Sequence, residues 1–336
     1  MYVRRDLKAS IVLWFCWKQL ILFVVLSSVV YWMYFGLHLQ WIALPFLPVG
    51  TIGTAVAFYI GFKNNSSYER LWEARKIWGS ITSVSRSWGM NICELQSQSI
   101  SESDLNKIKQ RLIRRQINWC NVLRLQLRSR ADFWNTGRLP DEVGLMHRLN
   151  LRGNPEQELQ TYLETEVSQE DRARVSGKIN PALNLLRLQI SDLTALKNDG
   201  NLSEDEYSDY VSFISDCVTE QTSSERIKSF PFPRQYAYFT NLFVWIFLLL
   251  LPSSLVGELP KAGAILDWMV IPLSILISWI FLTMEQVADT SEDPFQNGIN
   301  DIPLTSICRV IERDLLEMLG EKNLPEKLLP VADILM

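Results

Sequence analysis

The chain has 336 residues, 48% of them hydrophobic and 21% charged, and its 33 Lys and Arg against 37 Asp and Glu leave a net charge of −4. That balance excludes the basic surface needed to displace counterions from nucleic acid. The two histidines, His38 and His147, offer little material for a histidine metal site or a Ser–His or Cys–His catalytic pair, so neither an enzyme nor a metal or other cofactor is expected. Cys16, Cys93, Cys120, Cys217 and Cys308 are scattered without the close spacing of a zinc or redox motif and read as small buried hydrophobes in a reducing compartment.

Residues 11–35 form the first long apolar run, enough to cross a hydrocarbon core of about 30 Å and too long for the core of a cleaved signal peptide. Lys18 lies in its first third, where its stem snorkels to the cytosolic interface. Arg4, Arg5 and Lys8 precede this run, whereas the following GLHLQ carries no Lys or Arg, so the positive-inside rule places both termini in the cytosol. Pro45 and Pro48 suit the opening turn of a second span. Within that span Gly53, Ala57 and Gly61 recur every four residues, a stripe of small side chains that lets helices approach closely. One position further round lie Thr54, Phe58 and Phe62, which border that contact stripe. In a ring of identical helices this second stripe faces the axis; alternatively the two phenylalanines meet lipid or a neighbouring helix. After Phe62 the polar run from Lys63 either breaks the helix, with Ser66-x-x-Glu69 capping a new one, or is carried through, since Ile77, Ile81, Val84 and Trp88 keep helical spacing.

From Met90 to Arg234 nothing reaches spanning length, and apolar residues three and four apart predict amphipathic cytosolic helices. Arg111, Arg114, Arg115, Arg124 and Arg128 read as a solvated helix face, with a patch for anions or lipid headgroups as the alternative. Turns are expected at residues 135–137, 152–155 and 198–200, and Ser203-x-x-Glu206 is a capping box. Residues 236–251, extended past Pro252, and residues 265–282 give the third and fourth spans, with only Lys261 basic between them. The expectation is an all-α polytopic membrane protein. Residues 1–90 hold two spans and a cytosolic extension, 91–235 a helical cytosolic domain, 236–290 two further spans, and 291–336 a cytosolic tail.

Three blocks, GFKNNSSYERLWEARKIWG, SSERIKSFPFPRQYAY and EDPFQNGINDIPL, resemble blocks of the bestrophin family, its bacterial branch in particular, in the same order and at similar separations. The resemblance implies a homopentameric ion channel in the cell membrane, with four spans per subunit and a hydrophobic neck in the second. Thr54, Phe58 and Phe62 fall at the neck positions, Thr54 departing from the apolar residue usual at the outermost level. It implies monovalent anions, chloride foremost, as the permeant species; a cation channel of the same build and a non-conducting membrane scaffold are the alternatives. A second, cytosolic constriction falls by resemblance at Lys178-Ile179-Asn180-Pro181, with Ile179 forming the ring, against the alternative of an ordinary core isoleucine. The acidic run that binds calcium in animal members is mostly absent from residues 292–301, where Gly298 and Ile299 supply no side-chain oxygen, so a cap joining subunits is the expected role.

Overall fold

The computed structural model describes residues 1–4, 9–97, 99–129, 154–230, 232–298 and 300–336. The turn expected at 135–137, the first half of that at 152–155, His147, Arg5, Lys8, Ile299 and the side chain of Cys16 lie outside the described residues. Among those described, ten α-helices account for nearly all regular structure: α1 Ala9–Tyr31, α2 Phe46–Cys93, α3 Glu102–Arg128, α4 Pro155–Thr165, α5 Gln169–Val175, α6 Pro181–Asn198, α7 Glu204–Ser229, α8 Arg234–Glu258, α9 Val270–Thr290 and α10 Leu304–Met318. They form two compact units, one of residues 4–70 and 231–292, the other of residues 1–3, 71–230 and 293–336.

In the first unit four helical stretches are long and apolar enough to cross a membrane. Phe23, Val49, Val56, Ile60, Val244, Phe247 and Val270 make its core, while Ile21, Leu22, Val25, Leu249, Leu276 and Ile280 point outward. Apolar side chains on both faces are what a helix bundle in lipid requires. α8 runs through Pro252, and α9 extends past the expected end of the fourth span at residue 282 as far as Thr290. The charged last turns of α9 stay helical because Glu285 and Asp289 both find Lys63.

α2 is one helix of 48 residues, so the polar run after Phe62 is carried through and Ser66-x-x-Glu69 starts nothing new. The polar side chains find partners both within α2 and across on α9: Asn64 Nδ2 donates to Ile60 O at 3.1 Å and to Met284 O at 3.0 Å, and Asn65 Nδ2 to Glu69 Oε1 at 2.8 Å. Polar side chains that compete for backbone groups are thereby satisfied without opening the helix.

In the second unit α3 is the central element, with Leu112, Ile113, Trp119, Val122 and Leu123 buried against Trp78, Ile81, Trp88, Leu185, Ile214 and Ile311. A polar seam crosses this core, from Gln189 Nε2 to Gln116 Oε1 at 3.0 Å and from Gln116 Nε2 to Ser85 Oγ at 3.0 Å. Side-chain caps open the helices: Ser101, Asn154, Ser168 and Asn180 each accept from an N–H of the first turn, and Ser203 and Glu206 form the expected reciprocal box. Cys120, Cys217 and Cys308 are buried free thiols, whereas Cys93 is half-buried.

The arginines of α3 correct the expectation of one solvated face. Arg115 is fully buried, its guanidinium forked onto Asp171 at 2.7 and 2.8 Å, with Nη1 donating to Asp192 Oδ2 at 2.9 Å and Leu188 O at 3.0 Å. Arg124 is buried as well, and only Arg111 and Arg114 keep the exposed positions that the amphipathic pattern gave all five. Two carboxylates and a carbonyl replace the water that Arg115 loses, which is why a charge is tolerated on the core face.

Candidate functional site

The membrane-spanning half of α2 has one packed side and one open side. Val49, Gly53, Val56, Ile60, Lys63 and Ser67 are buried within the chain at helical spacing. Gly53 is pressed against the Phe247 ring, where an added Cβ would stand 2.6 Å from Cε2, so α2 and α8 meet at that glycine. Ala57 and Gly61 lie on the open side of the single chain, and a Cβ built on Gly61 meets nothing within 4 Å. The stripe of small residues is therefore divided, Gly53 in contact inside the chain and the other two facing outward.

Thr54, Phe58 and Phe62 share the open side, with Phe58 65% and Phe62 71% exposed. Tyr59, next to Phe58, turns back to meet Phe243 of α8 edge-on, ring centres 5.7 Å apart. Thr54 Oγ1 donates to Gly50 O at 3.0 Å.

Directly after Phe62 the helix is anchored by charge. Lys63 Nζ lies 2.6 Å from Glu285 Oε1 and 2.5 Å from Asp289 Oδ1 of α9, and Lys63 and Glu285 are both buried. About two turns further on, Arg70 Nε donates to Glu292 O at 2.9 Å. These contacts fix the rotation of α2 about its own axis, and with it the direction in which Phe58 and Phe62 point. Periodicity alone could not find this anchor, because its partners are 222 and 226 residues away.

The tail block folds around a buried carboxyl. Asp301 accepts from Gly298 N at 2.8 Å, and its pKa is pushed up to about 7 by burial, against the pull of that N–H and of the Met1 ammonium. Phe295 and Ile302 are buried in the core of the second unit. Among the described residues no group of three or more His, Cys, Asp or Glu is placed to hold a metal ion.

Ile179 is fully exposed, which rules out the core-isoleucine reading. It precedes a rigid helix start: Asn180 Oδ1 accepts from Leu183 N at 3.0 Å and Gln221 Nε2 at 3.1 Å, while its Nδ2 donates to Glu225 Oε1 at 2.8 Å. An isoleucine held out by so ordered a cap has no partner surface in the single chain.

Comparison with known proteins gives consistent results. Residues 3–317 match the model of the family described as Bacterial/Fungal Bestrophin protein. The Escherichia coli K12 protein named voltage-dependent anion channel-forming protein YneE is 30% identical over 313 residues, covering 93% of this chain and 89% of that one. A Mesorhizobium japonicum protein, voltage-dependent anion channel-forming protein mll4386, is 25% identical over 84% of this chain and 77% of its own length. The crystal structure of a bacterial bestrophin homolog from Klebsiella pneumoniae superposes with a TM-score of 0.73 at 25% identity, covering 91% of this chain and 99% of that one. The all-helical fold, its four apolar spanning helices and a family match over almost the whole chain agree, and the chain belongs to the bacterial and fungal bestrophin family.

Proposed function

We propose that this protein is an anion channel of the cell membrane, a homopentamer that passes monovalent anions, chloride foremost, down their gradient through one central pore. Both termini face the cytosol in this reading, because the basic Arg4 side of α1 contrasts with the uncharged GLHLQ connection. The relatives named as anion channel-forming proteins support the choice of ion. The observation that carries the reading is the open face of α2. Phe58 and Phe62, one helical turn apart, stay exposed in the single chain while the opposite face is packed and Lys63 locks the rotation. Five such faces around an axis make a neck of Thr54, Phe58 and Phe62, two apolar rings below a wetter threonine level. A constriction of this kind opposes ion passage by dewetting. Ala57 and Gly61, with space beside them, form the contact with the neighbouring copy, and small residues there let the backbones close up. Exposed Ile179 supplies a second constriction, an apolar ring in the cytosolic part. No catalytic role or calcium cofactor enters this mechanism.

The test is reconstitution into a planar bilayer in asymmetric sodium chloride. A reversal potential on the chloride side is expected. One on the sodium side replaces the reading by a cation channel, and absence of single-channel current replaces it by a membrane scaffold.

A further inference from the structure

Four charged residues, Lys63, Glu69, Arg70 and Glu73, follow Phe62 within about three turns of α2. The fold gives three of them partners off the open face. Lys63 is buried against Glu285 and Asp289, Arg70 is half-buried and donates to Glu292 O, and Glu73 is ion-paired to Arg226. Glu69 is the exception. Its side chain is exposed and accepts from Asn65 Nδ2 at 2.8 Å, and among the described residues no Lys or Arg forms an ion pair with it.

An exposed glutamate bonded to the residue one turn earlier is by itself an ordinary solvated pair. Its direction makes the difference here. At 100° per residue, Phe58, Phe62, Asn65 and Glu69 share one sector of about 60°, while Lys63 and Arg70 fall on the other side of the helix. The contacts that lock the rotation of α2 therefore also hold the Glu69 carboxylate on the face of the two phenylalanines, about 10 Å along the axis from Phe62. The next exposed charge in that sector is Lys76, about 10 Å further on and so about one Debye length away at 0.1 M salt, too far to cancel the field of Glu69 beside the neck.

We propose, resting on the pore reading, that Glu69 is a specificity-determining residue: five copies form a ring of carboxylates on the cytosolic side of the neck that depletes anions and enriches cations there. Rings of acidic side chains favour cations, and a low-dielectric passage focuses their field. In an anion channel such a ring limits both the current and the discrimination against cations. It also acts from one side, because anions leaving the cytosol meet the carboxylates before the phenylalanines. Less chloride is expected to leave the cytosol than to enter it at equal and opposite voltages.

The experiment is single-channel recording of the full-length protein in a planar bilayer, in sodium chloride at about 0.1 M and about 1 M and across a salt gradient. Glu69→Gln removes the charge and keeps the oxygen that accepts from Asn65. At the lower salt it should raise chloride current from the cytosolic side about twofold or more, reduce rectification and move the reversal potential toward the chloride value. Most of the gain should vanish at the higher salt, where the Debye length is about 3 Å. Glu73→Gln, which removes a charge already paired with Arg226, should behave like the parent. In Glu69→Cys, a thiol reagent carrying a sulfonate should restore the smaller parental current and one carrying a trimethylammonium should raise the current, with the parent as reagent control; this variant decides the matter if Glu69→Gln does not assemble. A Glu69→Gln channel with parental rectification and reversal potential, or with a gain equal at both salt concentrations, overturns the role of Glu69 and leaves the pore reading standing. A parent without single-channel current removes the pore reading and the ring with it.

Discussion

The two halves of α2 belong to one uninterrupted helix yet treat their large apolar side chains in opposite ways. Phe58 and Phe62 stand 65% and 71% exposed, while Trp78 and Trp88, at most 1% exposed, are enclosed by α3 and its neighbours. Hydrophobicity is similar, so the difference lies in what the rest of the chain supplies. The second half is enclosed by its own chain, and the first is left open by it. The buried cations differ in the same sense. Arg115 has a bidentate aspartate, a second aspartate and a carbonyl, whereas the Lys63 cluster carries two carboxylates and leaves Glu285 Oε2 without a partner.

That contrast breaks first on the buried cations. Arg115→Met strands Asp171 in the core, while Asp192 keeps Arg111, and should cost about 3–5 kcal/mol, read as a lowered denaturation midpoint of the detergent-solubilised protein. Lys63→Met should cost less, because Asp289 is 46% exposed and reaches solvent. Equal losses would mean that the two clusters are equally closed.

The next effect concerns pH and only the second unit. The folded pKa of Asp301 is raised to about 7, from about 3.9 in an unfolded chain. The fold therefore holds this proton more tightly than the unfolded chain does. The resulting stabilisation is complete below about pH 4 and is lost as pH rises through about 7. Asp301→Asn removes that dependence, so its stability relative to the parent should improve between pH 5 and pH 8, checked by melting midpoints at the two values. A constant difference would refute the burial argument.

On the open half of α2, Phe58→Ala with Phe62→Ala should raise single-channel conductance about several-fold by lowering the dewetting barrier, and should weaken selectivity. Ala57→Leu should instead reduce assembly, measured as the mass of the solubilised complex, because a large side chain blocks close approach. Unchanged conductance in an assembled double variant would show that the phenylalanines face lipid. The smallest effect is at a closed end: Ser203→Ala removes a reciprocal cap worth about 1 kcal/mol, visible as faster amide exchange in the first turn of α7.

Much of the molecule was legible in the sequence because the relevant physics is local. Apolar runs of spanning length, the Ser203 cap and the alternation of Thr54, Phe58 and Phe62 with the small residues depend only on spacing along one helix. The family followed from three blocks of residues. Tertiary structure decided whatever depends on a distant partner. Lys63 could carry α2 through its polar run only once Glu285 and Asp289 were in place. Gly53 parted from Ala57 and Gly61 because Phe247 fills the space beside it alone. Arg115 and Arg124 share a helix and a residue type, but one meets two aspartates and the other lines a cleft between α3, α4 and α10, and no local pattern distinguishes them. A periodic sequence fixes which side chains share a face; the charge or cavity that each face meets is set by residues distant along the chain.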